Sequence, residues 1–193
     1  MRRTLSTQKV VDCAASIADE HGIQFVTLTR VAQSLGVRQP ALYRHVRSHE
    51  ALIRALGLRG MTLLASCIGE AAVGRTGEDA VRAIGWAWLK MAHDHPGLYA
   101  ATSQCSQSPK EADEALSGTH VVEIVAQSLT AYSMKEAERK LAARSIQSAF
   151  HGFAQLESQD KDISAPEIQD AFEIHLAILC CGINKVSLSD FGQ

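Results

Sequence analysis

The chain has 193 residues, 46% hydrophobic and 21% charged, with four prolines and 5% aromatics. One large domain or two small ones of this size bury a core without staples, and the composition excludes a disordered tail. The net charge of −2 hides an asymmetry: residues 1–60 hold nine basic and four acidic side chains, the remainder ten and seventeen. A basic head on an acidic body is compatible with a polyanionic partner and with a merely solvated helical face.

The first predicted helix carries Val10, Ala14, Ile17, Ala18 and His21 on one stripe, with Ser6 as N-cap, Leu5 and Val10 as a hydrophobic staple, and Gly22 as its end. Ile23 to Val31 alternates like a strand, but Thr27 as N-cap makes Val26 and Val31 a second staple and favours a short helix to about Leu35. Gly36 supplies a permissive turn, and Gln39 to Val46 is the third short helix, with Pro40 in its first turn. Ser48 and Glu50 open a long helix to about Val73, Gly74-Arg75-Thr76-Gly77 breaks it, and Glu78 to Asp94 follows. Capping boxes are read at Ser108 to Glu111, Ser133 to Glu136 and Ser164 to Glu167. The pattern totals about nine helices, with no convincing strand.

Five cysteines (Cys13, Cys67, Cys105, Cys180, Cys181) without a C-x-x-C pair are expected as reduced thiols, buried like small hydrophobes, in a cytoplasmic protein. Met1-Arg2-Arg3-Thr4 begins like a signal peptide, but Gln8, Lys9 and Asp12 interrupt any apolar stretch. The longest uncharged run, His95 to Pro109, is rich in Ser, Gln and Pro, so no membrane partner is expected.

A helix, a glycine-containing turn and a short helix rich in Gln, Tyr, Arg and His fit the helix-turn-helix pattern of DNA binding; an ordinary αα-hairpin has the same spacing. The run Thr27-Leu28-Thr29-Arg30-Val31-Ala32-Gln33-Ser34-Leu35-Gly36-Val37-Arg38-Gln39-Pro40-Ala41-Leu42-Tyr43-Arg44-His45-Val46 closely resembles the tetracycline-repressor (TetR) family. The resemblance extends from about Leu5 to Leu56 and takes in Ser48-His49-Glu50-Ala51-Leu52, which in the family opens a connecting helix.

The resemblance implies a role for each matching position. Gln39 and Arg44 face base edges, where amide and guanidinium groups pair with adenine and guanine. Pro40 and Ala41 offer apolar contact to a thymine methyl. Tyr43 and His45 hold phosphates, as does His49, where the family usually has lysine. Thr27 caps its helix beside the DNA backbone, and Arg38 stands at the recognition-helix entrance. Thr29 departs from a frequently basic position, with Arg30, Arg44 and Arg47 placed to compensate. Arg2 and Arg3 are read either as a minor-groove arm or as solvated charges. Leu35, Val37 and Leu42 are expected in the core.

The resemblance implies an all-α fold: an N-terminal three-helix helix-turn-helix DNA-binding domain, 1–47, and a larger helical ligand-binding and dimerisation domain, 48–193. His95-Pro96-Gly97-Leu98-Tyr99-Ala100 and Ala149-Phe150-His151-Gly152-Phe153-Ala154-Gln155-Leu156-Glu157 look like its WHG-type effector domain. Trp86, Trp88, Met91, Leu98, Phe150, His151 and Phe153 are candidate lining for a largely apolar small-molecule effector site; taken singly, each is read first as core, with His151 the candidate polar handle. Glu78 to Asp94 reads as apolar nearly all round, as a buried pocket wall would be. The last helix carries Ile168, Phe172, Ile174, Ile178, Leu179, Ile183 and Val186, more than one face requires. Leu141–Leu156 and Ile168–Val186 are expected at a homodimer interface, as the resemblance implies; the competing reading is a fully buried helix within one subunit.

Neither His93-Asp94-His95 nor Cys180-Cys181 has chelating spacing on a helix, and no nucleophile elbow or phosphate-binding glycine loop occurs. No metal, cofactor or catalytic residue is expected. The expected function is a homodimeric DNA-binding transcription regulator, a repressor released from a double-stranded pseudo-palindromic operator by the effector. The alternative is a helical small-molecule-binding protein or enzyme with a non-functional helix-turn-helix head.

Overall fold

The computed structural model describes residues 5–105, 112–158 and 165–188, and among these it contains nine α-helices and no strand. Arg2, Arg3, the whole box from Ser108 to Glu111, and Ser164 of the last box lie outside them. The chain divides into two compact units, Met1–Leu63 with Asp94–Ser117, and Leu64–His93 with Gly118–Gln193.

The first unit starts with α1 (Thr7–His21), where the Ser6 hydroxyl accepts the Lys9 N–H at 3.3 Å and Gly22, at φ 97°, ends the helix. A 3₁₀ turn (Ile23–Phe25) occupies the strand-like segment, and α2 (Leu28–Ser34) begins at Thr27, whose hydroxyl accepts the Arg30 N–H at 3.1 Å. Val26 and Val31 are both buried. At the far end of α2, Val37 N–H donates to the Ala32 carbonyl and Gly36 N–H to Gln33, the two bonds of a Schellman ending, with Gly36 at φ 66°.

Helix α3 is shorter than its sequence suggests, Gln39–Leu42 instead of Gln39–Val46. Its N-cap Arg38 has no side-chain acceptor and Pro40 no N–H. Beyond Leu42 the chain tightens into turns, with the N–H groups of His45 and Val46 converging on the Leu42 carbonyl at 2.8 and 2.9 Å.

Helix α4 (His49–Ala72) is opened by the Ser48 hydroxyl, which accepts the Ala51 N–H at 3.1 Å. It alone among the described helices is long and apolar enough to cross a bilayer, with a mean hydropathy of 1.5, so α4 and not His95–Pro109 is the most membrane-like stretch. Its Leu52, Leu56, Leu64 and Ile68 are nevertheless packed away at no more than 2% exposure, which makes the apolar stripe core. Also in the first unit, α6 (Pro96–Cys105) lies so close to α1 and α4 that a Cβ on Gly97 would overlap the Ala18 carbonyl, and one on Gly60 would come 2.7 Å from the Leu98 carbonyl oxygen.

The second unit contains α5 (Gly77–Asp94, as far as His93), α7 (Ala112–Ser128, from Gly118), α8 (Glu136–Glu157) and α9 (Ala165–Leu188), besides the end of α4 from Leu64. Its core draws Ile68, Ile84, Trp88, Val121, Val125, Ile146, Phe150, Phe172 and Leu176 from all of them. Contrary to the expectation of all-round burial, α5 keeps an exposed edge at Glu78, Asp79 and Lys90. Helix α8 starts later than the predicted box: Lys135 is its N-cap and the Glu138 carboxylate accepts the Lys135 N–H at 2.7 Å, while Ser133 stays outside. Lysine has no acceptor to return the bond, so only half a capping box forms. The cysteines also depart from expectation. Cys180 is buried, Cys13 and Cys67 are half-buried and Cys181 is exposed; among the described residues none of these four is in a disulfide, and the Cys105 side chain lies outside the description.

Candidate nucleic-acid interface and effector unit

Apolar burial on one side of α2 and α3 determines what the other side presents. Leu28, Val31, Ala32, Leu42 and Val46 are buried, whereas Leu35 and Val37, expected in the core, are half-buried. Over this floor, none of the eleven predicted DNA-contact residues is buried: Thr27, Thr29, Arg38, Pro40, Tyr43, Arg44 and His49 are exposed, and Arg30, Gln39, Ala41 and His45 half-buried. The Thr29 hydroxyl donates to Gln39 Oε1 at 3.1 Å, and Gln39 Nε2 donates to Tyr43 Oη at 3.2 Å. The Arg30 guanidinium stands over the exposed Phe25 ring, 5.6 Å from its centroid, a stacking partner that sequence reading missed.

His49 is tethered. Its Nε2 donates to the Val26 carbonyl at 2.8 Å, leaving Nδ1 to donate to a phosphate only in the imidazolium form. Next to it, the Ser48 hydroxyl holds the Glu50 carboxyl below the ordinary carboxylate range. An ionised Glu50 in the first turn suits the N-terminal end of α4.

In the second unit, Trp88, Met91 and Phe150 are buried at 1–2% exposure, and Trp86, His151 and Phe153 are half-buried. The rings gather around a residue assigned from sequence only to the dimer helix, Phe172. Its centroid lies 4.9 Å from Trp86 in an edge-on pair and 4.8 Å from Phe153. Trp86 donates its indole N–H to Glu173 Oε1 at 2.9 Å, and Arg82 holds the other oxygen at 2.8 Å. Leu98 belongs to the first unit, buried at 2% exposure, and so is not in this group.

Sequence reading also missed His175, 5.2 Å from Phe153 and stacked on Phe172 at 6.0 Å between centroids. Its Nε2 is buried and has no hydrogen-bond partner among the described residues. Burial lowers the pKa of His175 against an opposing backbone hydrogen bond at Ala149, and burial alone lowers that of His151. Both imidazoles are thereby biased toward the neutral form.

Along the outer side of α8 and α9 runs an apolar groove of about 570 Å³, lined by Leu141, Ile146, Ile178, Leu179, Ile183 and Val186 among others. Leu141, Leu156, Ile174 and Ile178 are 63–70% exposed, whereas Phe172 and Ile183 turn inward, so α9 bears two apolar stripes. Among the described residues no group of three His, Cys, Asp or Glu could hold a metal ion. His93 stands 4.0 Å from Glu157, and His95 2.9 Å from Asp19.

The family model described as "Bacterial regulatory proteins, tetR family" matches residues 10–56, and "Tetracyclin repressor-like, C-terminal domain" matches 81–179. The uncharacterized HTH-type transcriptional regulator Rv0681 of Mycobacterium tuberculosis is 30% identical over 153 residues, 79% of this chain and 70% of that protein. The tetracycline repressor protein class D of Escherichia coli is 41% identical over 54 residues, 28% of this chain and 25% of that one. Among solved structures, BioQ with its natural double-stranded DNA operator superposes with a TM-score of 0.65 at 24% identity, covering 94% of this chain and 99% of that one. The Streptomyces coelicolor regulator SCO7222 does so with 0.72 at 17% identity, covering 95% and 100%.

The family models and the relatives together define a helix-turn-helix, DNA-binding transcriptional regulator. The chain belongs to the tetR family of bacterial regulatory proteins.

Proposed function

We propose that the chain is a cytoplasmic homodimeric repressor in which residues 1–47 bind DNA and 48–193 bind effector and partner. Each subunit inserts α3 into the major groove of a double-stranded pseudo-palindromic operator, with half-sites about one helical turn, or a multiple of it, apart. The observation that carries this reading is the outward side of α3 and of the turn that follows it: Gln39, Tyr43 and Arg44 stand accessible above a floor of Leu42 and Val46. BioQ, alike in fold, has been solved on its operator, which supports the same use of this face.

Homodimerisation through α8 and α9 is supported by their exposed Leu141, Leu156, Ile174 and Ile178, since apolar area of this kind is normally covered. A small, largely apolar effector is assigned to the second unit on the half-buried Trp86, His151 and Phe153 beside Trp88, Met91 and Phe150. It releases DNA to the extent that it binds the non-docking conformer more tightly. No catalytic role is proposed.

The test is a salt titration of the full-length chain on a duplex enriched from a random pool. Phosphate neutralisation predicts a steep fall of log affinity with log salt, and a specific site about a thousandfold or more above nonspecific DNA. A flat slope and no enriched sequence would instead indicate a small-molecule-binding protein with a non-functional head.

A further inference from the structure

The hydrogen bonds around Gln39 bear on specificity, in a way that rests on the reading of α3 as the recognition helix. A primary amide has two N–H donors and two carbonyl lone pairs. Thr29 on α2 takes one lone pair at 3.1 Å and Tyr43 takes one N–H at 3.2 Å, so one donor and one acceptor remain. Both partners are hydroxyls, able to donate or accept, so turning the amide over leaves the same remainder. One donor plus one acceptor is the complement of the adenine N7 and N6 edge in the major groove. A free glutamine would order its rotatable bonds on meeting DNA; one already held loses less freedom on binding.

We propose that Thr29 is a positioning residue for base recognition: with Tyr43 it holds Gln39 so that the amide offers its remaining N–H and lone pair to adenine. Thr29 acts through Gln39 and touches no base itself. Its side chain is exposed, and Thr29→Val keeps shape and branching while deleting only the hydroxyl.

The experiment is selection of a randomised duplex pool by full-length wild type, Thr29→Val, Thr29→Ser and Gln39→Ala, followed by sequencing. Wild type is expected to select adenine at one position of each half-site, and Gln39→Ala to lose that preference. Thr29→Val should lower it at the same position by about threefold to tenfold, the worth of one hydrogen bond, with other positions unchanged. Thr29→Ser should retain it. A preference lost at a different base position would make residue 29 a direct reader and overturn the proposal. So would a uniform loss of affinity across all sequences. A wild type that enriches nothing overturns the recognition-helix reading itself, and the proposal with it, and is told apart because wild type and Gln39→Ala then behave alike.

Discussion

Asp19 of α1 accepts the Leu98 backbone N–H of α6 through Oδ1 at 2.8 Å, while its Oδ2 lies 2.9 Å from His95 Nδ1. Leu98 is the third residue of α6, so a carboxylate from one helix does for another what an N-cap side chain does locally. Asp19→Ala should cost about 1–2 kcal/mol in urea unfolding. Asp19→Asn, which keeps an oxygen acceptor, should lose less.

Two glycines should respond in opposite directions. At Gly97 a methyl group would enter the Ala18 carbonyl, and backbone cannot rotate aside as a side chain can, so Gly97→Ala should destabilise by about 3 kcal/mol. Gly152, inside α8 with nothing within 4 Å of its ideal Cβ, should gain about 0.5–1 kcal/mol as Gly152→Ala from helix propensity. Urea midpoints of the two variants against wild type check both.

Acid should weaken the fold through His175 and His151. Burial lowers their pKa values below the ordinary 6.5, so the unfolded chain takes up protons first as pH falls. Their contribution is intact above about 6.5 and is lost as the pH drops from there through the folded values. Tm measured from about pH 7.5 down to about pH 5 should therefore decline, and less steeply in His175→Gln.

Operator binding should separate base from phosphate contacts. Arg44→Ala is expected to cost about 1–3 kcal/mol on the selected operator and to relax one position. Arg47→Ala, exposed just beyond α3, should weaken all sequences alike and reduce the salt slope by about one. Fluorescence anisotropy at several salt concentrations distinguishes them; an unchanged affinity in Arg44→Ala would remove it from the interface.

Association should depend on the outer stripe of α9. Ile178 is 66% exposed, so Ile178→Glu is tolerated within one subunit, yet it places a charge in the groove shared with α8. Sedimentation velocity should show wild type as dimer and the variant shifted to monomer with unchanged helicity.

The parts of the fold legible in the sequence are those set by neighbours along the chain. Ser6, Thr27 and Ser48 cap because a hydroxyl three residues before an N–H reaches it in any context, and Gly22 and Gly36 end helices because few residues tolerate positive φ. The eleven candidate contacts all emerged accessible because they alternate with Leu28, Val31, Leu42 and Val46 at helical spacing. The start of α8 was misplaced because Ser133 and Glu136 match the box spacing while Glu138, two residues on, holds the N–H actually left bare. Phe172 and His175 were hidden for a different reason: their ring partners lie on α5 and α8, and no local spacing encodes a contact such as Trp86 to Glu173.

The chain's two tryptophans sit on α5, Trp86 with its indole N–H on the Glu173 carboxylate and Trp88 buried 6.0 Å from Phe150. Indole emission therefore arises wholly within the second unit, from one ring beside a carboxylate and one in an apolar setting. The protein carries a built-in optical probe of its second unit, readable without a label, while the first unit contributes no tryptophan signal of its own.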